Sequence, residues 1–600
     1  MFQTFDVSTR PDQGPPRLAA LREEIAAEGL DGFFIPRADM YQGEYVAPHD
    51  ARLAWLTGFT GSAGFCITLL DQAGVFVDGR YRVQVKAEVS LDHFAPVDWP
   101  EVKVPDWLKE AFPDGGTIGF DPWLHTAKEI ETYRKALAGV EIYFSQCDNL
   151  VDRIWSDQPA SPTGKFTAYP IENAGESSTD KRMRLAAELR DKGQRAAVIT
   201  LPDSVAWLLN IRGSDIVRNP VPHAFAILHD DARVSLIAQP EKTADILNHV
   251  GPEVSVVAPD DFAETLRGLD GPVRVDKAWA PIAVSEILDG AGVGVEWGDD
   301  PCALPKARKN ATEIAGTCEA HLRDGAAMVE FLAWFDANAT SGLTEIDVVT
   351  RLEGFRRATN ALLDISFETI AGTGANGAII HYHVSEQTNA PLKPGQLIVV
   401  DSGGQYIDGT SDITRTMAIG APDDEQRACF TRVLQGMIAI SRARFPKGVG
   451  GAHLDALARA PLWMAGQDFD HGTGHGVGVY LCVHEGPQRL SRTSDLPFEP
   501  GMILSNEPGY YREGAFGIRI ENLLVVEPAP DLPGGDAHRH MNGFKTLTFV
   551  PIDRNLINVA MLTADERAWL NKYHAEVADK IGPRVGDDVR EWLMVATAPL

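Results

Sequence analysis

Hydrophobic and polar positions follow one order twice along this chain. The first passage opens on helically spaced apolar residues near Leu18–Glu28. It continues through the apolar run DGFFIPR (31–37), the segment WLTGF (55–59) and the paired runs GFCITL and GVFVDGRY. The second opens on a helical pattern near Lys181–Lys192 and runs through AAVITL (196–201), WLLNIRG (207–213), AFAILH and RVSLIA. Helical spacing followed by short β-branched runs predicts alternating α/β structure. Recurrence of helix, strand, Trp-Leu and hairpin in the same order predicts two related domains.

Loop-like composition marks the limits of these passages, at QPASPTGK (158–165) and DDPCALPKARKN (299–310). The domains are therefore read as 1–160, 161–305 and 306–600. The third opens with Asn310 and Glu313, the spacing of a capping box, ahead of a helix to about Asn338. Ile314, Cys318, Leu322, Met328, Leu332 and Phe335 form its expected buried stripe, with Gly316 and Gly325 as weak points. From Phe367 onward strands dominate, in QLIVVDSGG, SDITRTMAIG, GMILSNEP, GIRIENLLVV and TLTFVPI. Helices are predicted near 423–444, 451–465 and 563–581. This domain reads as α+β.

Composition narrows the function classes. A chain of 600 residues is too long for one core, and 44% hydrophobic with 23% charged residues is ordinary globular usage. No run of about 18 apolar residues predicts a membrane span, and MFQTFDVSTRPDQGPP lacks the apolar core of a signal peptide. A net charge of −29 argues against a nucleic-acid partner, because a phosphate backbone needs a basic surface. The six cysteines lack a CxxC pair and read as reduced core thiols of a cytoplasmic protein. Cys482 is assigned no chemistry.

Candidate chemistry gathers in the third domain. Asp401 directly follows the apolar run LIVV, and Asp412 enters the next strand across a hairpin whose turn is read at Asp408-Gly409. Buried carboxylates are costly unless paired or bound to a cation. In HGTGHGVGVYLCVHEGP (471–487) the glycines rule out a helical zinc site and leave backbone that a ligand can approach closely. Glu507 stands between an apolar strand and a Pro-Gly turn. Glu521 is flanked by isoleucine and asparagine in GIRIENLLVV, where a strand disfavours an unneutralised acid. A bland reading pairs it with Arg519, two residues earlier. Two Asp, two Glu and one His form a hard donor set that suits Mn²⁺, and less selectively Co²⁺, Fe²⁺ or Zn²⁺. Five ligands exceed the need of one catalytic ion but suit two divalent ions with shared carboxylates. GTGANG (372–377) satisfies GxGxxG but runs into AIIHYH rather than a helix, and is read as a decoy. HRH (538–540) is read as solvated.

The order Asp401, Asp412, His475, Glu507, Glu521, in its DSG, TSD, HGTGHGVG, NEPG and IRIEN contexts, resembles the pita-bread metallopeptidases. Within them it resembles the three-domain form of aminopeptidase P (Xaa-Pro aminopeptidase). WLTGFTGSAG, VDGRYRVQ, NIRGSD and GANGAIIHY extend the similarity over nearly the whole chain. The resemblance implies two related creatinase-like α/β domains followed by a pita-bread α+β catalytic domain. It implies release of the N-terminal residue from peptides with proline second, by attack of a metal-bridging hydroxide, in a cytoplasmic homodimer. Asp412 and Glu521 would bridge the ions, Asp401 would complete one, and His475 with Glu507 the other. Glu507 would also shuttle a proton. His381 and His484 would stabilise the tetrahedral intermediate and orient the scissile bond, and His471, Tyr511 and Arg519 would contact substrate or support the groups that hold the ions. Prolidase, an Xaa-Pro dipeptidase, is the nearest rival within the superfamily. Methionine aminopeptidase lacks two preceding domains, creatinase does not need these metals, and a non-catalytic peptide-binding module is the rival outside enzymes.

Overall fold

The computed structural model describes residues 1–536 and 538–600; Ala537, within the loop 531–545, lies outside the described residues. The chain divides into two compact units, Ser8–Lys306 and Ala307–Leu600, the latter joined by Met1–Val7.

Within Ser8–Lys306 the repeated pattern becomes two six-stranded sheets of the same topology. The first runs 95–98, 73–77, 65–69, 32–36, 116–120, 142–146, and the second 254–257, 234–237, 225–229, 196–199, 273–275, 295–297. In each, the strand earliest in the chain, 32–36 or 196–199, is antiparallel to a hairpin strand on one side and parallel to 116–120 or 273–275 on the other. The Trp-Leu segments close short helices, Arg52–Thr57 and Pro202–Leu209. Both end on a left-handed residue, Gly58 at φ 90° and Asn210 at φ 51°. Glycine and asparagine are the types that reach this conformation cheaply, so WLTG and WLLN carry one stop signal in two spellings.

In the unit holding 307–600, the helix Ala311–Asn338 starts on the expected capping box. It passes unbroken through both glycines for a packing reason. A Cβ at Gly316 would lie 2.8 Å from the Asp408 carbonyl, and one at Gly325 3.1 Å from that of Phe549. The expected stripe is buried only from Met328 through Leu332 to Phe335. Toward its start the helix buries Thr317, His321 and Asp324 instead, leaving Ile314, Cys318 and Leu322 half-exposed. Asp324 is taken up by Arg356, through two nitrogens at 2.8 and 3.1 Å, and by the Tyr406 hydroxyl at 2.7 Å. Arg356 belongs to a helix that hydrophobic spacing did not reveal, Glu345–Ala358, capped reciprocally by Thr344 and Asp347. The remaining helices include Asp424–Ser441, Gly451–Trp463, Ala564–Ile581 and Asp587–Ala596.

Strands 370–373, 397–402 and 413–418 form one sheet. Strands 474–476, 503–506 and 522–528 are part of a larger one. The two repeat a motif. Thr344 bridges Pro391 and Gly450 bridges Pro497, and the same number of residues beyond each proline comes an acid, Asp401 or Glu507. Of the six thiols, Cys66, Cys302 and Cys429 are buried, whereas Cys147, Cys318 and Cys482 are half-exposed, so the expectation of core thiols holds for three. Among the described residues no helix is long and apolar enough to cross a membrane.

Candidate metal centre

Each candidate acid sits where a strand ends. Asp401 is the next-to-last residue of 397–402 and pairs in register with Thr414, two residues past Asp412. The hairpin between them turns at Ile407–Asp408, one residue earlier than expected, so that Tyr406 pairs with Gly409. Glu507 follows strand 503–506. Glu521 is not inside a strand, as its flanks suggested, but at the break between Phe516–Arg519 and Asn522–Pro528. The amide of Ile520 donates to Pro508 and that of Glu521 to Thr414, which turns the chain between the two sheets. His475 is the centre of the short strand Gly474–Gly476. A Cβ at Gly474 would lie 1.9 Å from the Ser505 carbonyl, and one at Gly476 2.2 Å from that of Glu485. The glycines beside His475 thus admit neighbouring backbone, rather than a ligand as their spacing had suggested.

The structure brings all five residues together. Donor atoms of Asp401, Asp412 and Glu521 lie within 4.8 Å of one another, as do those of His475, Glu507 and Glu521, and those of Asp412, His475 and His484. His475 Nε2 is 3.5 Å from Asp412 Oδ2 and 3.3 Å from Glu507 Oε1. Its Nδ1 lies 2.9 Å from the Gly476 carbonyl, which can only accept, so Nδ1 carries a proton and Nε2 is the nitrogen turned to the acids. Two residues absent from the sequence reading hold the acids in place. Thr414 donates to Glu521 at 2.8 Å, and Ser505 donates to Glu507 at 2.9 Å while accepting from the His475 amide. Thr414 follows Asp412 at strand spacing and Ser505 precedes Glu507 likewise, so the period of two was the signal.

One oxygen on each of two of these acids, Asp401 Oδ1 and Glu521 Oε1, is buried with no hydrogen-bond partner. Such orphans are rare in folded proteins and mark a missing cation or water. Desolvation pushes the Asp401 carboxyl up to about 6, with Asp412 and Glu507 adding to the rise and Arg519 opposing it. Desolvation and like charges also raise Glu507 and Glu521. Burial alone would lower His475, but its contact with Asp412 and the charges of Glu507 and Asp412 carry it to about 9. Burial is the largest cause for the three acids, and around all four groups the neighbouring carboxylates push in the direction that crowded negative charge would. Two divalent ions would balance four carboxylates, and the oxygen-rich donor set fits hard or borderline cations.

Arg519 does not pair with Glu521. Its Nη2 donates to Asp401 Oδ2 at 2.6 Å, its Nη1 to the Tyr511 hydroxyl at 2.6 Å, and its Nε to Thr414. His471 Nε2 meets the same hydroxyl at 2.9 Å. His471, Tyr511 and Arg519 therefore form one chain ending on Asp401. His484 stands against His475, ring centres 4.2 Å apart, and the next residue, Glu485, makes a buried ion pair with Lys309. His381 is outside the carboxylate cluster, half-buried in the loop after the short turn Gly374–Ala378. GTGANG runs from the end of strand Ile370–Thr373 into that single turn rather than into an α-helix, and His538 to His540 are exposed.

Residues 316–528 match metallopeptidase family M24, and 540–600 match the C-terminal region of peptidase M24. Residues 17–154 and 157–313 each match the creatinase/prolidase N-terminal domain. The class is thus an M24 metallopeptidase with two such domains ahead of it. Aminopeptidase P2 of Arabidopsis thaliana is 37% identical over 95% of this chain and 86% of its own. A probable Xaa-Pro aminopeptidase P of Laccaria bicolor is 39% identical over 97% and 93%. X-prolyl aminopeptidase of Caenorhabditis elegans, a cytosolic enzyme with a di-nuclear active site, superposes with a TM-score of 0.92 at 31% identity, over 98% of this chain and 99% of that one. The chain belongs to the aminopeptidase P family. Its third domain is the pita-bread domain expected from the metal motifs.

Proposed function

We propose that the protein is a metal-dependent aminopeptidase that releases the N-terminal residue from peptides with proline at the second position. The observation that carries this reading is the convergence of four buried acids and His475, two of the acids with an unsatisfied oxygen, in a chain similar to Xaa-Pro aminopeptidases along its length. Asp412 and Glu521 would bridge two ions, Asp401 would complete one site, and His475 with Glu507 the other. The donor set favours Mn²⁺, with Co²⁺, Fe²⁺ or Zn²⁺ as substitutes. When bound, the ions supply Lewis acidity that activates water and polarises the carbonyl ahead of proline.

The side chains supply the rest. Glu507, grouped with His475 and Glu521 in the cluster, takes the proton from the attacking water and returns it to the proline nitrogen. That nitrogen is a tertiary amide and leaves only once protonated. His484, beside His475, and His381 donate to the developing oxyanion. His471 and Tyr511 contact the substrate or support Arg519, which is buried and fixes Asp401. A homodimer is what the family resemblance implies, and the cytosolic C. elegans enzyme supports the same compartment.

The test is to chelate the protein, restore Mn²⁺ and compare Xaa-Pro-Yaa, Xaa-Ala-Yaa and Xaa-Pro substrates. Cleavage of the first alone is expected. Equal turnover of the alanine peptide would overturn the specificity, preference for the dipeptide would favour a prolidase, and no turnover with metal bound would leave a binding module.

A further inference from the structure

We propose that Glu345 is a positioning residue for this reaction: its buried carboxylate ties the loop 373–390 into one frame and thereby aims His381 at the substrate. Glu345 is the first residue of the helix Glu345–Ala358 and is fully buried. Its Oε1 accepts from the Thr373 amide at 2.7 Å and from Asn376 Nδ2 at 3.1 Å. Its Oε2 accepts from the Tyr382 hydroxyl at 2.9 Å and the Ala390 amide at 3.0 Å. The donors come from the start, the middle and the end of the loop. Beyond the short turn Gly374–Ala378, residues 379–390 have no helix or strand among the described residues to shape them.

His381 lies between two residues fixed from opposite directions. On one side the Ile380 carbonyl accepts from Arg519 Nη1 at 3.3 Å, and Arg519 is itself bound to Asp401. On the other, Tyr382 is drawn onto Glu345. The backbone on both sides of this imidazole is therefore referred to two buried charges, one of them in contact with the metal centre's own carboxylate. Burying a carboxylate costs several kcal/mol unless its oxygens are satisfied, and here the satisfying donors all belong to one loop. The position at the start of a helix, where the macrodipole is positive, adds to the stabilisation of the charge.

A purely structural role predicts something different. Tyr382, Val384 and Leu392 belong to the same apolar core as Val348, Val349 and Leu352, so the loop is expected to stay attached without the carboxylate. What Glu345 adds is definition of the loop's course. Replacing it by glutamine keeps the volume but turns an amide donor toward the Ala390 amide, which can only donate, and releases the Tyr382 hydroxyl to the Thr388 carbonyl 3.0 Å away.

The inference rests on the reading of His381 as a substrate contact, and the experiment separates the two. We would measure kcat and KM on an Xaa-Pro-Yaa peptide, with metal content and melting temperature, for the Mn²⁺-loaded parent, Glu345→Gln, His381→Ala and the double variant. Expected is a loss in kcat of about 10–100-fold for Glu345→Gln, the usual cost of losing a residue that orients a site, with both ions retained. In the His381→Ala background the same substitution should cost less than about threefold, since residues acting as one unit are not additive. Full additivity, or parental kcat in Glu345→Gln, overturns the proposal. Parental activity in His381→Ala overturns the reading of His381 first. If Glu345→Gln does not fold, Tyr382→Phe, which removes one donor, enters the same cycle, with coupling to His381→Ala expected and additivity again overturning the proposal.

Discussion

Two buried aspartates, each bound to a buried arginine, behave in opposite ways. Asp324 receives two nitrogens of Arg356 and the Tyr406 hydroxyl. Although burial alone would raise its carboxyl, these partners hold it below the usual range. Asp401 receives one nitrogen of Arg519, keeps an orphaned oxygen and faces other acids, and its carboxyl rises to about 6. The arginine is common to both, so it is not what distinguishes a structural acid from a candidate ligand. The remaining oxygen is. A carboxylate whose acceptor sites are filled by the fold has finished its work, whereas one left open in a crowd of like charges requires a cation.

The largest test of that contrast removes a carboxylate from the open set. Asp412→Asn should lose both ions and reduce activity by more than about 100-fold, beyond the range for supporting groups. The melting temperature of the metal-free form should hardly change; retained activity would sink the bridging role. Next come the arginines themselves. Arg356→Met should destabilise the loaded protein by about 3–5 kcal/mol, because Asp324 is stranded as an unpaired buried charge. Arg519→Met leaves Asp401 with a cation as partner, so it should cost about 10–100-fold in activity or metal affinity and much less stability. Equal destabilisation by the two would erase the distinction.

The smallest effect is on pH dependence. Asp401, Glu507 and Glu521 bind protons more tightly folded than unfolded. The stability they lend is complete below the ordinary carboxylate range near pH 4 and is lost as pH rises through their raised values, which for Asp401 is about 6. Asp324 has the opposite sign: its contribution is present above that range and fades as pH falls through its lowered value. Metal-free protein should therefore gain more in melting temperature from added Mn²⁺ at pH 8 than at pH 5. Equal gains would mean that the cluster's charge is relieved in some other way.

Local signals made much of this legible. The Asn310–Glu313 box located the long helix, and acids in apolar surroundings located Asp401, Asp412, Glu507 and Glu521 as one set. What escaped depends on partners far along the chain. Thr317, His321 and Asp324 look like the solvent face of a helix until Arg356 and Tyr406 arrive. Arg519 looks like a partner for Glu521 at strand spacing, yet the backbone breaks between them and it reaches Asp401 instead. The helix Glu345–Ala358 mixes valines, arginines and Gly354 without a clear stripe, and its cap is its only local mark. The domain limits 1–160, 161–305 and 306–600 remain a proposal, to which the structure adds that Met1–Val7 packs with the last of them.

That return of the first residues has a consequence for biosynthesis. The amides of Phe2 and Gln3 donate to Glu353, and the Gln3 side chain exchanges hydrogen bonds with the main chain of Thr369, beside the strand that pairs with Asp401. These partners are separated by some 350 positions. At ~5–20 residues per second of translation, the leading segment waits about 20–70 s for its seat to be made. A nascent chain stalled before Glu353 holds Phe2 and Gln3 without the surface that fits them.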